Sequence, residues 1–228
     1  TLWSYYSHTG SHPALMEIGK NFQAFVTFLE KGQVEYDLGS ENIIKDHGRV
    51  ENGKFIVGKA AYATVVLPPM TETINKPTFT LLRRFVEQGG RLITFSTPEL
   101  IDGTADKELV SFISQESVLK ESQIDREVLK KYFSSDDFEL RFNNGNLYHH
   151  RRMFADGGLI FIVNSSMEEI ASGNLSVKGR TLLEMDALTG EICAYPTEKK
   201  GGILNSSFRI EPAGSLILYS SYKTDDKY

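Results

Sequence analysis

The chain has 228 residues, of which 40% are hydrophobic and 24% charged, and its formal net charge is −5. These values are typical of a soluble globular protein with one large or two ordinary domains. Its Lys and Arg residues are scattered along the sequence, which disfavours nucleic acid or an anionic membrane as the main partner, because both bind clustered cations. The longest apolar runs, such as residues 65–67, are too short to span a bilayer.

The start of the chain and its cysteine content indicate how the chain was processed and whether it has disulfides. Residues 1–4 have neither an initiator Met nor the pattern of a signal peptide, so we expect a processed or excised segment. The single cysteine, Cys193, excludes an internal disulfide. Its place in a strand pattern indicates a small hydrophobic residue rather than a nucleophile.

The first part of the chain begins with a helical pattern. Ser11 is a suitable cap, Pro13 falls in the first turn and Gly32 ends the run. Before this helix, residues 2–6 include three aromatic side chains and are predicted to form a half-buried strand, with Trp3 or Tyr5 facing inward. The alternative is that this position in the sheet is empty and is covered by another chain. Apolar residues recur at helical spacing between the cap and the glycine: Leu15, Ile18, Phe22, Phe25, Val26 and Leu29.

A strand, hairpin and βαβ pattern follows this helix. Residues 34–36 are predicted to form a short strand, and Asn52-Gly53 is a strong hairpin signal between two strand-like runs. Residues 62–67 are almost continuously apolar, which favours a strand buried in a parallel sheet. A helical pattern, the stop signal Gly89-Gly90 and a second buried strand over residues 91–95 complete the unit. We therefore predict an open α/β domain over residues 1–118.

The spacing of apolar residues and turn signals changes in the second part of the sequence. Residues 119–137 are predicted to contain a linking helix with an apolar face. From residue 138 onward, short alternating segments are separated by turn signals such as Asn144-Gly145. We predict a β-sandwich over residues 138–228.

Two carboxylates follow the second predicted parallel strand, at the edge where open α/β sheets bind ligands. Glu99 and Asp102 are close enough in sequence to act as the carboxylate pair that glycosidic hydrolysis requires. The alternative is that Pro98-Glu99 opens a turn or helix, where a carboxylate is favoured by the helix N-terminus. Neither strand end carries a Gly-rich phosphate loop, so we expect no nucleotide cofactor.

The run Tyr148-His149-His150-Arg151-Arg152 is the second candidate site. Strand alternation places His149 and Arg151 on one face, and His150 and Arg152 on the other. Adjacent histidines on one strand therefore do not share a metal, and no carboxylate or cysteine at ligand spacing completes a zinc site. His149 and Arg151 are candidates for a sugar or carboxylate subsite, and the alternative is a solvated strand face.

Several segments, taken in order, resemble a known family. Residues 62–68 and 81–93 are similar to the glutamine-amidotransferase-like, flavodoxin-like accessory domain of large glycoside hydrolases. Residues 148–151, 161–166 and 184–191 resemble strands and a turn of the β-sandwich in the same enzymes, the α-L-rhamnosidase-like glycoside hydrolases of family 106. Met185 stands where the family turn has a Trp, and the α/β part has no Cys after a strand to act as an amidotransferase nucleophile.

The resemblance implies a non-catalytic accessory region of a large bacterial enzyme that degrades plant or other complex polysaccharides. In that family the catalytic carboxylates lie on a (β/α)₈ barrel, which would be the partner of this region, so no catalytic residue is assigned here. The implied location is extracellular or periplasmic, the ligand is an oligo- or polysaccharide, and no cofactor or metal is implied. Two alternatives are open: a stand-alone carbohydrate-binding or scaffold protein, and a small hydrolase that uses Glu99 and Asp102.

Overall fold

The computed structural model describes residues 12–223. The strand predicted over residues 2–6 lies outside the described residues. Contacts divide the described chain into two compact units, one made of residues 12–28 and 36–128 and the other of residues 29–35 and 129–223. The segment 29–35 therefore belongs with the C-terminal part of the chain, although it lies far from that part in sequence.

The first unit contains helices and three small sheets. An antiparallel sheet has the order β1-β2-β3, a parallel sheet the order β4-β6-β9, and a third sheet the order β5-β7-β8. The helix α1 continues into residues of the second unit, and the division between the units falls inside α5. In chain order the elements are α1 (Pro13–Lys31), α2 (Glu41–His47), β1 (Gly48–Glu51), β2 (Lys54–Val57), β3 (Ala60–Tyr62), β4 (Thr64–Leu67), β5 (Thr73–Ile74), α3 (Lys76–Glu87), β6 (Arg91–Thr94), β7 (Leu100–Ile101), β8 (Thr104–Ala105), α4 (Lys107–Ser114), β9 (Val118–Lys120) and α5 (Arg126–Phe133).

The parallel sheet predicted from the apolar runs is present. Its central strand β6 pairs with β4 and β9, and Leu92 and Ile93 are fully buried there. Helix α3 contributes Phe85 to the same core, and a Cβ on Gly90 would lie 2.2 Å from the Phe85 ring. The glycine pair after α3 is thus required by close packing as well as by the turn, where Gly89 has a φ of +82°.

The hairpin prediction at Asn52-Gly53 is also confirmed. The two residues have φ values of 51° and 69°, and the flanking strands β1 and β2 pair in antiparallel register. Positive φ at both central positions is the geometry that matches the twist of the two strands, and Asn and Gly adopt it at the lowest cost.

Three expectations about the first part differ from the structure. Residues 34–36 form no strand; the Glu35 side chain instead contacts His149 and Arg151 of the second unit. The run 62–67 is broken at Ala63 into β3 and β4, which belong to different sheets. Residues 118–120 form β9 of the parallel sheet, so this sheet continues past the boundary placed at residue 118, and the predicted linking helix begins only at Arg126.

The second unit consists of two antiparallel sheets that share one core, the arrangement of a β-sandwich. One sheet has the order β10-β13-β17-β16 and the other β11-β12-β18-β14-β15. Alternate residues of the long strands face inward, as Ile160, Ile162 and Leu218 do. The strands are β10 (Phe138–Phe142), β11 (Leu147–Phe154), β12 (Gly157–Asn164), β13 (Ala171–Lys178), β14 (Thr181–Met185), β15 (Ile192–Ala194), β16 (Glu198–Lys200), β17 (Ile203–Ile210) and β18 (Ser215–Ser221).

Candidate functional site

The edge strand β11 carries the candidate site. Its residues pair with β12 in the register His149 to Ile162 and Arg151 to Ile160. Because both partners are fully buried in the core, His149 and Arg151 point to the inside of the β-sandwich at its edge. Strand alternation therefore sends His150 and Arg152 to the outside, on the opposite face from His149 and Arg151 as the sequence predicted.

The inward pair binds a carboxylate of the same chain. Arg151 donates two hydrogen bonds to Glu35, one from Nε to Oε1 and one from Nη2 to Oε2, the latter 2.8 Å long. The Nε2 atom of His149 lies 3.2 Å from Oε1 of the same carboxylate. The side chains of His149 and Arg151 are only 3% and 13% exposed, against 43% for Glu35, so both are largely shielded from water where they meet the carboxylate.

The orientation of His149 is fixed from its other side by Gln33. The amide nitrogen of Gln33 donates to the carbonyl oxygens of Glu30 and Leu147, at 3.1 and 3.0 Å, so that its Oε1 atom faces Nδ1 of His149 at 2.7 Å. Nδ1 must therefore carry a proton, while Nε2 faces the Glu35 carboxylate.

The ring of Phe138 packs against the side chains of both Arg151 and His149. The guanidinium carbon of Arg151 lies 4.3 Å from the ring centroid of Phe138, and the His149 ring lies 4.8 Å from it at an interplanar angle of 31°. Phe138 belongs to β10, the edge strand of the opposite sheet, and is buried. The open edge of the sandwich core is thus closed by a cation–π stack rather than by an aliphatic side chain.

The electrostatics of Glu35 define what this cluster does. Partial burial alone would raise the pKa of Glu35, but the hydrogen bonds and positive charges of Arg151 and His149 outweigh it and lower the pKa to about 2. A carboxylate that stays ionised at neutral pH, with both oxygens engaged, is unsuited to proton transfer. We therefore interpret the group Gln33, Glu35, His149 and Arg151 as a clamp that fixes residues 33–35 on β11.

The structure places Glu99 and Asp102 at the two ends of β7, both exposed. Asp102 and Gly103 form the turn between β7 and β8 with φ values of 49° and 80°, and Oδ1 of Asp102 accepts a hydrogen bond from the backbone N–H of Lys76 at 3.4 Å. Lys76 is the first residue of α3, so Asp102 contacts the start of a helix, a place that the sequence alternative had given to Glu99.

Sequence reasoning missed Glu35 and Gln33. Glu35 was interpreted as a strand residue, and it reaches Arg151 across 116 positions of sequence. No local pattern marks such a pair, and only the run of two histidines and two arginines on β11 indicated that a counter-charge was needed. Gln33 has a φ of 58° because it follows the end of α1, where its backbone N–H donates to the carbonyl of Glu30 and that of Val34 donates to Leu29.

Within the described part of the chain, no group of three or more His, Cys, Asp or Glu side chains is arranged to hold a metal ion. Over the same residues, no helix is long and apolar enough to cross a membrane.

Comparisons with known proteins concern the fold. No protein-family model matches the sequence, and no curated protein matches it. Among solved structures, the fold is similar to that of a rhamnosidase from Novosphingobium sp. PP1Y, with a TM-score of 0.67 and 15% sequence identity. The match covers 84% of this chain and 20% of the rhamnosidase chain. The fold is therefore related to one region of a glycoside hydrolase.

Proposed function

We propose that this chain is a non-catalytic accessory region of an α-L-rhamnosidase-like glycoside hydrolase that takes part in the breakdown of plant or other complex polysaccharides. The observation that carries the proposal is the fold match, which extends over 84% of this chain but only 20% of the rhamnosidase. The partner is the remainder of the enzyme, including its catalytic barrel, and the location is extracellular or periplasmic.

The candidate site supports an accessory role. Glu35 is the carboxylate of the candidate site, and both of its oxygens are occupied by Arg151 and His149. A retaining or inverting glycosidase instead needs two carboxyl groups facing a substrate from opposite sides. Glu99 and Asp102 are exposed at the ends of a two-residue strand, and Asp102 serves a turn. These contacts are of the kind that stabilises a fold.

The test compares the chain alone with the full polypeptide that contains it. On a panel of aryl glycosides that includes the α-L-rhamnoside, the chain alone is expected to give no turnover above the uncatalysed rate, whereas the full polypeptide hydrolyses the rhamnoside. Turnover by the isolated chain that disappears in Glu99→Gln or Asp102→Asn would replace the proposal with the small-hydrolase alternative. An inactive full polypeptide would also contradict it.

A further inference from the structure

The outward face of β11 repeats the side-chain arrangement of its inward face. Tyr148, His150, Arg152 and Phe154 alternate along it, and the last three are exposed. The guanidinium carbon of Arg152 lies 5.9 Å from the centroid of the Phe154 ring. Each face therefore presents a histidine, an arginine two residues later and an aromatic ring beside the guanidinium.

The two faces of β11 differ in what their histidine and arginine side chains bind. On the inward face, His149 and Arg151 hold the carboxylate of Glu35. On the outward face, neither His150 nor Arg152 has a side-chain hydrogen bond or an ion pair with any residue between 12 and 223. Asp156, the acidic residue of the adjoining hairpin turn, accepts a 2.7 Å hydrogen bond from the Tyr219 hydroxyl. The histidine–arginine pair is thus occupied by a carboxylate of this chain on the inward face and open on the outward face.

Two exposed phenylalanine rings lie on the same face of the sheet as His150 and Arg152. Phe161 of β12 lies opposite His150 in the strand register, and Leu159 lies opposite Arg152. Phe154 and Phe161 are 46% and 39% exposed, and they are the exposed phenylalanines of residues 12–223. These two rings offer apolar contact area on the same face as His150 and Arg152.

We propose that His150, Arg152, Phe154 and Phe161 form a binding site for an acidic oligosaccharide. Arg152 and His150 bind the carboxylate of a sugar acid as Arg151 and His149 bind Glu35. Phe154 and Phe161 contact the apolar faces of the sugar rings. The charge of the site is complementary to an anion, which distinguishes this ligand from a neutral glycan.

The geometry sets the length of the ligand. Phe161 lies opposite His150, four residues before Phe154, so the two aromatic positions are about 13 Å apart along the strand at about 3.3 Å per residue. A ligand that reaches both rings is therefore longer than a monosaccharide. The carboxylate site follows from the contacts of β11, whereas the choice of a sugar as its carrier rests on the proposed function.

Calorimetric titration of the chain with hexagalacturonate and with the neutral galactohexaose, at low ionic strength, tests this site. We expect binding of the acidic hexamer and at least about tenfold weaker binding of the neutral one, because the charged contact is lost. Arg152→Gln and Phe161→Ala should each weaken hexagalacturonate binding about tenfold or more. The matched controls Arg209→Gln, on the other sheet and paired with Glu211, and Met167→Ala, 78% exposed in a loop, should leave it unchanged.

Thermal melting of each variant verifies that it is folded before its affinity is compared. Equal binding of the acidic and neutral hexamers, or unchanged binding in both Arg152→Gln and Phe161→Ala, would overturn the site. So would absence of sugar binding together with self-association that these two variants abolish, since the face would then contact a second copy of the chain. A chain that fails to bind sugar while the full polypeptide still hydrolyses the rhamnoside would contradict this inference alone and leave the proposed function standing.

Discussion

The two faces of β11 carry the same pair of side chains and have different surroundings. Inside, His149 and Arg151 are desolvated, stacked on Phe138 and bound to Glu35. Outside, His150 and Arg152 stand in solvent beside Phe154. The comparison teaches that strand alternation decides which way a side chain points, but that a distant segment of chain decides whether the side chain is structural or free to bind.

The largest loss of stability is expected from a substitution at the end of β12, because this strand pairs with β11 and so supports both of its faces. Asn164 is 1% exposed at the end of β12, where its Oδ1 accepts from the N–H groups of Asn146 and Ser166 and its Nδ2 donates to the carbonyl of Glu169 at 2.7 Å. We expect Asn164→Ala to lower the free energy of unfolding by about 3 kcal/mol, because buried backbone groups lose their partners. Urea unfolding measures this, and a loss under about 1 kcal/mol would contradict it.

A pair of single substitutions sharpens the contrast between the faces. Arg151→Ala should lower the free energy of unfolding by about 2 kcal/mol, since it removes the bidentate contact with Glu35 and the stack on Phe138. Arg152→Ala on the outward face should change it by less than about 0.5 kcal/mol. Chemical denaturation of both variants in parallel is the measurement. Equal losses would mean that the inward clamp contributes no more than a solvated strand face.

Acid titration gives the smallest effect. The folded-state pKa of Glu35 is lowered to about 2, so its contribution to stability is present above the unfolded value near 4.5 and is lost as the pH falls from there to about 2. Because the Glu35 side chain is 43% exposed, solvent screening reduces the contribution to about 1 kcal/mol. The difference in unfolding free energy between the wild type and Glu35→Gln should therefore shrink across this window. A difference independent of pH would exclude the clamp as its cause.

The sequence predicted those parts of the fold that depend on local patterns. The helix ending before Gly32, the Asn52-Gly53 hairpin, the parallel sheet around β6 and the alternating strands after residue 138 all follow from spacing and turn residues. The strand predicted over residues 34–36 was wrong, because three residues of strand-like composition do not determine whether a neighbouring strand is available to pair with them.

The candidate site was predictable only in part, and for the same reason. Period-two alternation alone assigned His149 and Arg151 to one face and His150 and Arg152 to the other. Which face is buried depends on the register with β12, and which carboxylate fills it depends on a contact that closes a loop of more than a hundred residues. Contacts between residues so distant in the chain produce no periodic pattern in the sequence. The sequence shows only that the two residues have opposite charges.

By itself, the sequence determined that the chain has an α/β part and a β-strand-rich part, because helical and strand periods and turn glycines act within a few residues. Only the tertiary structure decided that residues 29–35 belong with the second unit, that Asp102 serves a turn and that Glu35 is the counter-ion of Arg151. The physical reason is that burial, desolvation and charge pairing are properties of neighbours in space. Two arginines adjacent in sequence acquired opposite environments through them.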